Sequence, residues 1–176
     1  MTEGRRLFFA LYPDVAHRRR LHAFARSLGP GRPTPIDNVH LTLFFLGHCD
    51  PEAEQRAQAC AGALTAGPLR VRTGRLEHWP GARAVVVLVD DIDGRLASLH
   101  QTLSRKLVDA GFPSDPRPWR PHLTLLRNVT AVGLPSAPDS MLLCFDRLFL
   151  FRSEPAGRGS VYRPLRDWPL HEAAND

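Results

Sequence analysis

The sequence predicts an α+β fold in a single domain spanning residues 1–176. Two pseudo-symmetric lobes, each built on a mainly antiparallel sheet, would flank a central cleft with helices outside. Three observations lead there. The word His-Leu-Thr-Leu occurs at His40–Leu43 and again at His122–Leu125, 82 residues further on. Each copy follows a helix-patterned stretch and a Pro-rich segment, so the half-patterns match as well as the words. Finally, too few strands alternate strictly with helices for a doubly wound sheet. A diverged internal duplication accounts for all three.

In chain order, Leu7–Tyr12 reads as a short aromatic strand closed by Pro13. Asp14 is placed to cap a helix and Gly29 lies just past its end, with Leu21, Phe24, Ala25 and Leu28 at helical spacing between them. Residues 29–38 (GPGRPTPIDN) form a loop into the first motif strand, which Gly47 ends. Asp50 and Pro51 start an alanine-rich surface helix reaching about Thr65. Leu69–Trp79 alternates as a half-exposed strand, and Ala84–Val89 is a β-branched, buried one. A helix starting among residues 90–93 carries Leu96, Leu99, Leu103 and Leu107 on one stripe and stops at Gly111. Residues 112–121 (FPSDPRPWRP) feed the second motif strand, and residues 129–139 read as a loop. Met141–Arg152 reads as a strand, residues 153–160 as a turn, and Val161–Leu165 as a hairpin partner. The tail after Trp168 reads as loosely ordered.

The net charge of +5 and pI near 9.8 favour an anionic partner such as nucleic acid or nucleotide. Arginine supplies 22 of the 23 basic residues, Lys106 being the exception. The three cysteines (Cys49, Cys60, Cys144) have neither CxxC nor metal-ligand spacing, so they read as buried free thiols of a reducing compartment. No apolar run approaches the length of a membrane span, and the expected location is the cytoplasm.

Chemistry concentrates in the repeat. Composition alone gives roughly 0.007 copies of this word in such a chain, and two occur. On a strand, residues two apart share a face, so His40 projects with Thr42 and His122 with Thr124, while the leucines turn into a core. Two imidazoles with a hydroxyl beside each can serve a metal-free phosphoester-cleaving site. Neither motif has a carboxylate at i+2 or i+4, which argues against a metal centre. Residue pattern alone does not distinguish which histidine is acid and which is base. Arg127, three residues after Thr124, is placed to bring a guanidinium to a phosphate. One of Phe8 and Phe9 must face the cleft, and a base could stack there. Tyr162 and Trp119 read as packing aromatics, and the other six histidines as surface or incidental.

The chain resembles the two-histidine (2H) phosphoesterases, specifically the RNA 2′,3′-cyclic phosphodiesterase (2′-5′ RNA ligase-like) group. The resemblance covers nearly the full length. It runs through Arg6-Leu-Phe-Phe-Ala10, Asn38-Val-His-Leu-Thr-Leu-Phe-Phe-Leu-Gly47 and Pro121-His-Leu-Thr-Leu-Leu-Arg127, and ends with Tyr162, Leu165 and Trp168-Pro-Leu170. One departure is Arg32-Pro-Thr-Pro35, where relatives often carry an Arg-Trp pair. The resemblance implies a bilobal fold with both motifs in a central groove, no metal and no cofactor. It implies His122 as proton acceptor, His40 as proton donor, substrate contacts from Arg127, and Phe8 as the cleft-facing residue of its pair. The expected activity is hydrolysis of RNA or nucleoside 2′,3′-cyclic phosphate to a 2′-phosphate by a monomer. The partners would be RNA 3′ ends or nucleotides bearing that group, with no membrane. Alternatives are a phosphodiesterase or ligase acting on 2′-5′ linkages or on another cyclic nucleotide, or a non-catalytic RNA-binding module.

Overall fold

The computed structural model describes residues 4–130, 133–157 and 159–171. These form nine strands: β1 (Arg5–Leu11), β2 (Arg32–Pro33), β3 (Leu41–Cys49), β4 (Leu69–Trp79), β5 (Ala84–Asp91), β6 (His122–Arg127), β7 (Leu142–Phe145), β8 (Arg147–Ala156) and β9 (Gly159–Pro169). Three helices accompany them: α1 (Val15–Ser27), α2 (Pro51–Gly62) and α3 (Arg95–Asp109). The α+β class holds.

Local chemistry sets the helix ends. The Asp14 carboxylate accepts the His17 amide at 2.8 Å, and the Asp50 carboxylate accepts the Ala53 amide at 2.7 Å. Gly29, just past α1, has φ +98°, a conformation that disfavours any residue with a Cβ. At α3 the cap comes from further back. Gly94 occupies the cap position, and the Asp91 carboxylate reaches forward to the amides of Gly94, Leu96 and Ala97. The leucine stripe of α3 is fully packed, while α2 buries only Ala57 and Ala61.

The sheet is one antiparallel, curled layer with the path β7-β4-β5-β6-β3-β1-β8-β9, and β2 paired to β6. This corrects the expectation of two separate sheets. The halves are joined where β3 meets β6, but they share one rung, Leu41 opposite Leu123. β3 begins at that rung and β6 one residue before it, and the two run apart in opposite directions. Pro35 and Pro121 stand just upstream of the two motifs, and proline donates no ladder hydrogen bond.

Four other expectations change. Residues 141–152 are two strands, not one: the chain breaks at Asp146, β7 pairing with β4 and β8 with β1. The carbonyl of Asp146 accepts the Leu170 amide at 2.7 Å, so the chain after Trp168 is tied down as far as His171, which bridges Ala66. The remaining tail lies outside the described residues. The loop before the first motif contains β2, which adds an edge to β6. Cys49 is buried, but Cys60 is half-buried and Cys144 exposed, because β7 turns alternate residues outward.

Alternation on β1 separates two apolar clusters. Leu7, Phe9 and Leu11 enter the main core beneath the helices. Phe8 and Ala10 face the other way and pack with Phe151, Tyr12, Phe149 and Tyr162 on the sheet's opposite face. The histidines lie on that second face.

Candidate active site

The single rung between the halves explains how the two motifs meet. Leu41 and Leu123 pair with both side chains in the main core. An antiparallel register through them sets His40 alongside Thr124 and Thr42 alongside His122, on the opposite face. All four predicted residues are half-buried, as groups lining a cleft would be.

Beyond this point each motif strand carries a bulge at its second leucine. On β3 the partners jump from Thr42 opposite Ala10 to Phe44 opposite Phe9, leaving Leu43 over. On β6 they jump from Thr124 opposite Val86 to Leu126 opposite Val85, leaving Leu125 over. An extra residue reverses the phase of everything after it. Phe44 and Leu126 therefore enter the core, and Phe45 and Arg127 return to the groove face. The two halves thus place an aromatic ring and a guanidinium at matching positions, each three residues after a motif threonine. Alternation without the bulge would have buried Phe45, and sequence reading missed it.

The His40 ring is fixed at both nitrogens. Its Nδ1 lies 2.7 Å from the Asn38 carbonyl, which can only accept, so Nδ1 carries a proton. Its Nε2 lies 2.9 Å from Thr42 Oγ1. Phe8 and Tyr162 wall the ring at 5.0 Å each, Tyr162 edge-on. Burial pushes the His40 pKa down to about 4; Arg127 and His122 push the same way, against the opposing pull of the Asn38 carbonyl. Asn38 was not singled out from the sequence. Its side-chain amide donates to the Ser160 carbonyl at 2.6 Å and accepts the Tyr162 amide at 3.3 Å, tying β9 to the segment that enters the first motif.

His122 has the same backbone anchor and different walls. Its Nδ1 donates to the Arg120 carbonyl at 2.7 Å, leaving Nε2 as the free nitrogen of the neutral ring. The Trp79 indole lies against it with centroids 4.4 Å apart. Trp79 Nε1 donates to Glu77 at 2.8 Å, and Glu77 receives the Arg120 guanidinium on both oxygens at 2.8 and 2.7 Å. Burial lowers the His122 pKa, and Arg127 and Arg120 add to the effect, while the Arg120 carbonyl opposes it.

A groove of about 460 Å³ adjoins His40 through the shared walls Phe8 and Tyr162. Arg6, Arg32, Arg127 and Phe45 also line it. Phe8 faces the site as expected, yet it is 2% exposed, its ring covered by Phe151, Tyr162, His40 and Phe45. Phe45 is 62% exposed and offers the open aromatic face. Gly159 is where the Arg32 guanidinium passes: a Cβ there would sit 2.7 Å from Nη1. Trp119 donates to the Thr42 carbonyl at 3.2 Å and stacks on His100 at 3.8 Å, pinning the second Pro-rich loop to the first motif strand. Among the described residues no three His, Cys, Asp or Glu side chains are grouped to hold a metal ion. Among the same residues no helix is long and apolar enough to cross a membrane.

Known proteins share this fold. The chain is 30% identical to an RNA 2′,3′-cyclic phosphodiesterase of Escherichia coli over 97% of its length and 99% of the relative's. It is 28% identical to the protein of that name from Thermus thermophilus, covering 94% and 90%. The crystal structure of E. coli LigT complexed with 3′-AMP superposes with a TM-score of 0.85 at 29% identity, over 97% of this chain and all of that one. The structure of TT0787 of T. thermophilus gives 0.83 at 25% identity, over 95% and 98%. With residues 12–149 matching its description as well, the chain belongs to the 2′-5′ RNA ligase superfamily.

Proposed function

We propose that this protein is an RNA 2′,3′-cyclic 3′-phosphodiesterase that hydrolyses the cyclic phosphate to a 2′-phosphate without a metal. The strongest support is the geometry at the seam: two His-Thr pairs share one face of the sheet, each histidine held through Nδ1 so that Nε2 is the reacting atom. The names of the relatives point to the same activity.

A 2′,3′-cyclic phosphate is a strained diester poised for in-line attack. His122 Nε2 takes a proton from water as the water oxygen bonds to phosphorus. The bond from phosphorus to the 3′-oxygen breaks, and that oxygen receives a proton from His40 Nε2. Water supplies the hydroxyl of the new phosphate, and the products are a 2′-phosphate and a 3′-hydroxyl. Before reaction the Thr42 hydroxyl can donate to neutral His40; once the ring is charged it can turn to a non-bridging phosphate oxygen, as Thr124 can from the other side. Arg127 faces the same charge and makes no ion pair among the described residues. Phe8 contributes by seating His40. The strand path, which reads outward from the seam as motif strand, helix-bearing strand, then two more on each side, supports one domain of two duplicated lobes. Both motifs come from one chain, and the cysteines are free, which fits a cytoplasmic monomer.

The test is incubation with nucleoside 2′,3′-cyclic phosphate in EDTA, followed by phosphorus NMR. The expected product is the 2′-phosphate. A 3′-phosphate would overturn the leaving-group assignment, and an inert protein would overturn the reading. Phe45→Ala should raise KM for such a nucleotide, base stacking being worth roughly 1–3 kcal/mol, with kcat and melting temperature little changed. An unaltered KM would remove Phe45 from the substrate site.

A further inference from the structure

The surroundings of His122 form a closed circuit. The imidazole donates to the Arg120 carbonyl, the Arg120 guanidinium clasps Glu77, Glu77 accepts the Trp79 indole, and the indole lies against the imidazole. We propose that Glu77 is a positioning residue for His122, setting the ring's orientation and its protonation equilibrium through Trp79 and Arg120 without touching it.

Each link has a physical reason. Glu77 lies on β4, with Arg75 on one side and Trp79 two residues further along, so Trp79 shares the groove face with Glu77. Its partner in the register is Val86 of β5, itself opposite Thr124. Glu77 therefore sits two strands from the motif threonine and still reaches the segment before β6 by way of Arg120. Both bonds come from Nη2, one to each carboxylate oxygen, and they are charge-assisted. They hold Arg120 at the point where that residue's carbonyl orients the imidazole. The Glu77 pKa is lowered to about 2, first by the Trp79 hydrogen bond and then by Arg120 and Arg75, so the carboxylate stays ionised wherever histidine works.

The charges facing His122 decide the direction of the effect. Arg120 and Arg127 disfavour its protonated form, and His40 faces it across the seam. Glu77 offsets Arg120 and is itself shared with Arg75. Removing the Glu77 charge leaves Arg120 uncompensated, and the imidazolium becomes harder to form. The loop around His40 runs instead through Asn38 and Tyr162 and contains no carboxylate. The two histidines thus have separately adjustable environments.

Imidazole titration by NMR in the free protein tests this without substrate. Although the purpose of the circuit rests on the hydrolysis proposed above, the measurement does not. In Glu77→Gln, which keeps an acceptor for Trp79, the His122 pKa should fall by about half a unit to one unit, and His40 should move less. Arg120→Met should raise it, and the Glu77→Gln/Arg120→Met double variant should return it toward the wild-type value. In turnover assays Glu77→Ala should lose roughly 10- to 100-fold in kcat with KM little changed, and Glu77→Gln should recover much of that loss at its own pH optimum. An unchanged His122 pKa in folded Glu77→Gln would overturn the proposal. So would a Glu77→Ala protein that melts earlier but turns over at the wild-type rate.

Discussion

Replacing His122 with alanine is expected to lower kcat by roughly 10²- to 10⁴-fold, the usual contribution of a positioned general base, with KM close to wild type. His40→Ala should lose as much, for a different reason: the departing 3′-oxygen must then leave as an unprotonated alkoxide. The two losses should not multiply. Attack and departure are coupled through one pentacovalent phosphorus, and once either proton transfer is missing the other has little left to accelerate. Turnover of the double variant within about tenfold of the worse single is the expected result. Both rings are half-buried and each donates one hydrogen bond to a backbone carbonyl, so His→Asn variants, which retain a donor, serve as folded controls. A His122→Ala protein that hydrolyses cyclic phosphate at the wild-type rate would remove the residue from the chemistry.

Much of this site was legible because the chemistry is written into a repeated word on strands. Period-two alternation alone sent His40, Thr42, His122 and Thr124 one way and their leucines the other, and the burial follows it. Alternation failed where the backbone slips. Nothing in the letters announces that Leu43 and Leu125 are bulged, and the slip decides whether Phe45 or Phe44 faces the groove. The placement of Arg127 depends on the same hidden phase. Long-range clamps were also invisible. Asn38 is 122 residues from Ser160, and Glu77 is 43 from Arg120; such pairs carry no local pattern. The division into two sheets failed for a subtler reason. Sequence identifies strands and their faces, but a single shared rung between Leu41 and Leu123 depends on where two strands happen to start. The same limit split residues 141–152 between partners in different halves.

Arg127→Met should cost about 10²-fold in kcat/KM, as the loss of one preorganised donor to developing phosphate charge typically does. It should also move the pH profile in a direction the site dictates. In the free protein Arg127 depresses both imidazoles, on top of burial, with His40 at about 4 and His122 below its ordinary value of 6.5. The productive form carries a single proton on the pair, so the kcat/KM optimum should fall on the acid side of 6.5. Removing the guanidinium makes both imidazolium forms easier to reach, raises both pKa values, and shifts that optimum toward alkali. Bound substrate acts in the same sense, because its phosphate monoanion favours a protonated neighbour. The optimum in kcat should therefore lie above the optimum in kcat/KM. Arg127→Lys separates charge from shape: the profile should stay near its wild-type position while the rate falls, since an ammonium cannot fork across two phosphate oxygens. If Arg127→Met slows turnover but leaves the profile in place, the guanidinium touches substrate without governing the histidines. If the profile moves and the rate does not fall, Arg127 tunes the pair without contacting the phosphate.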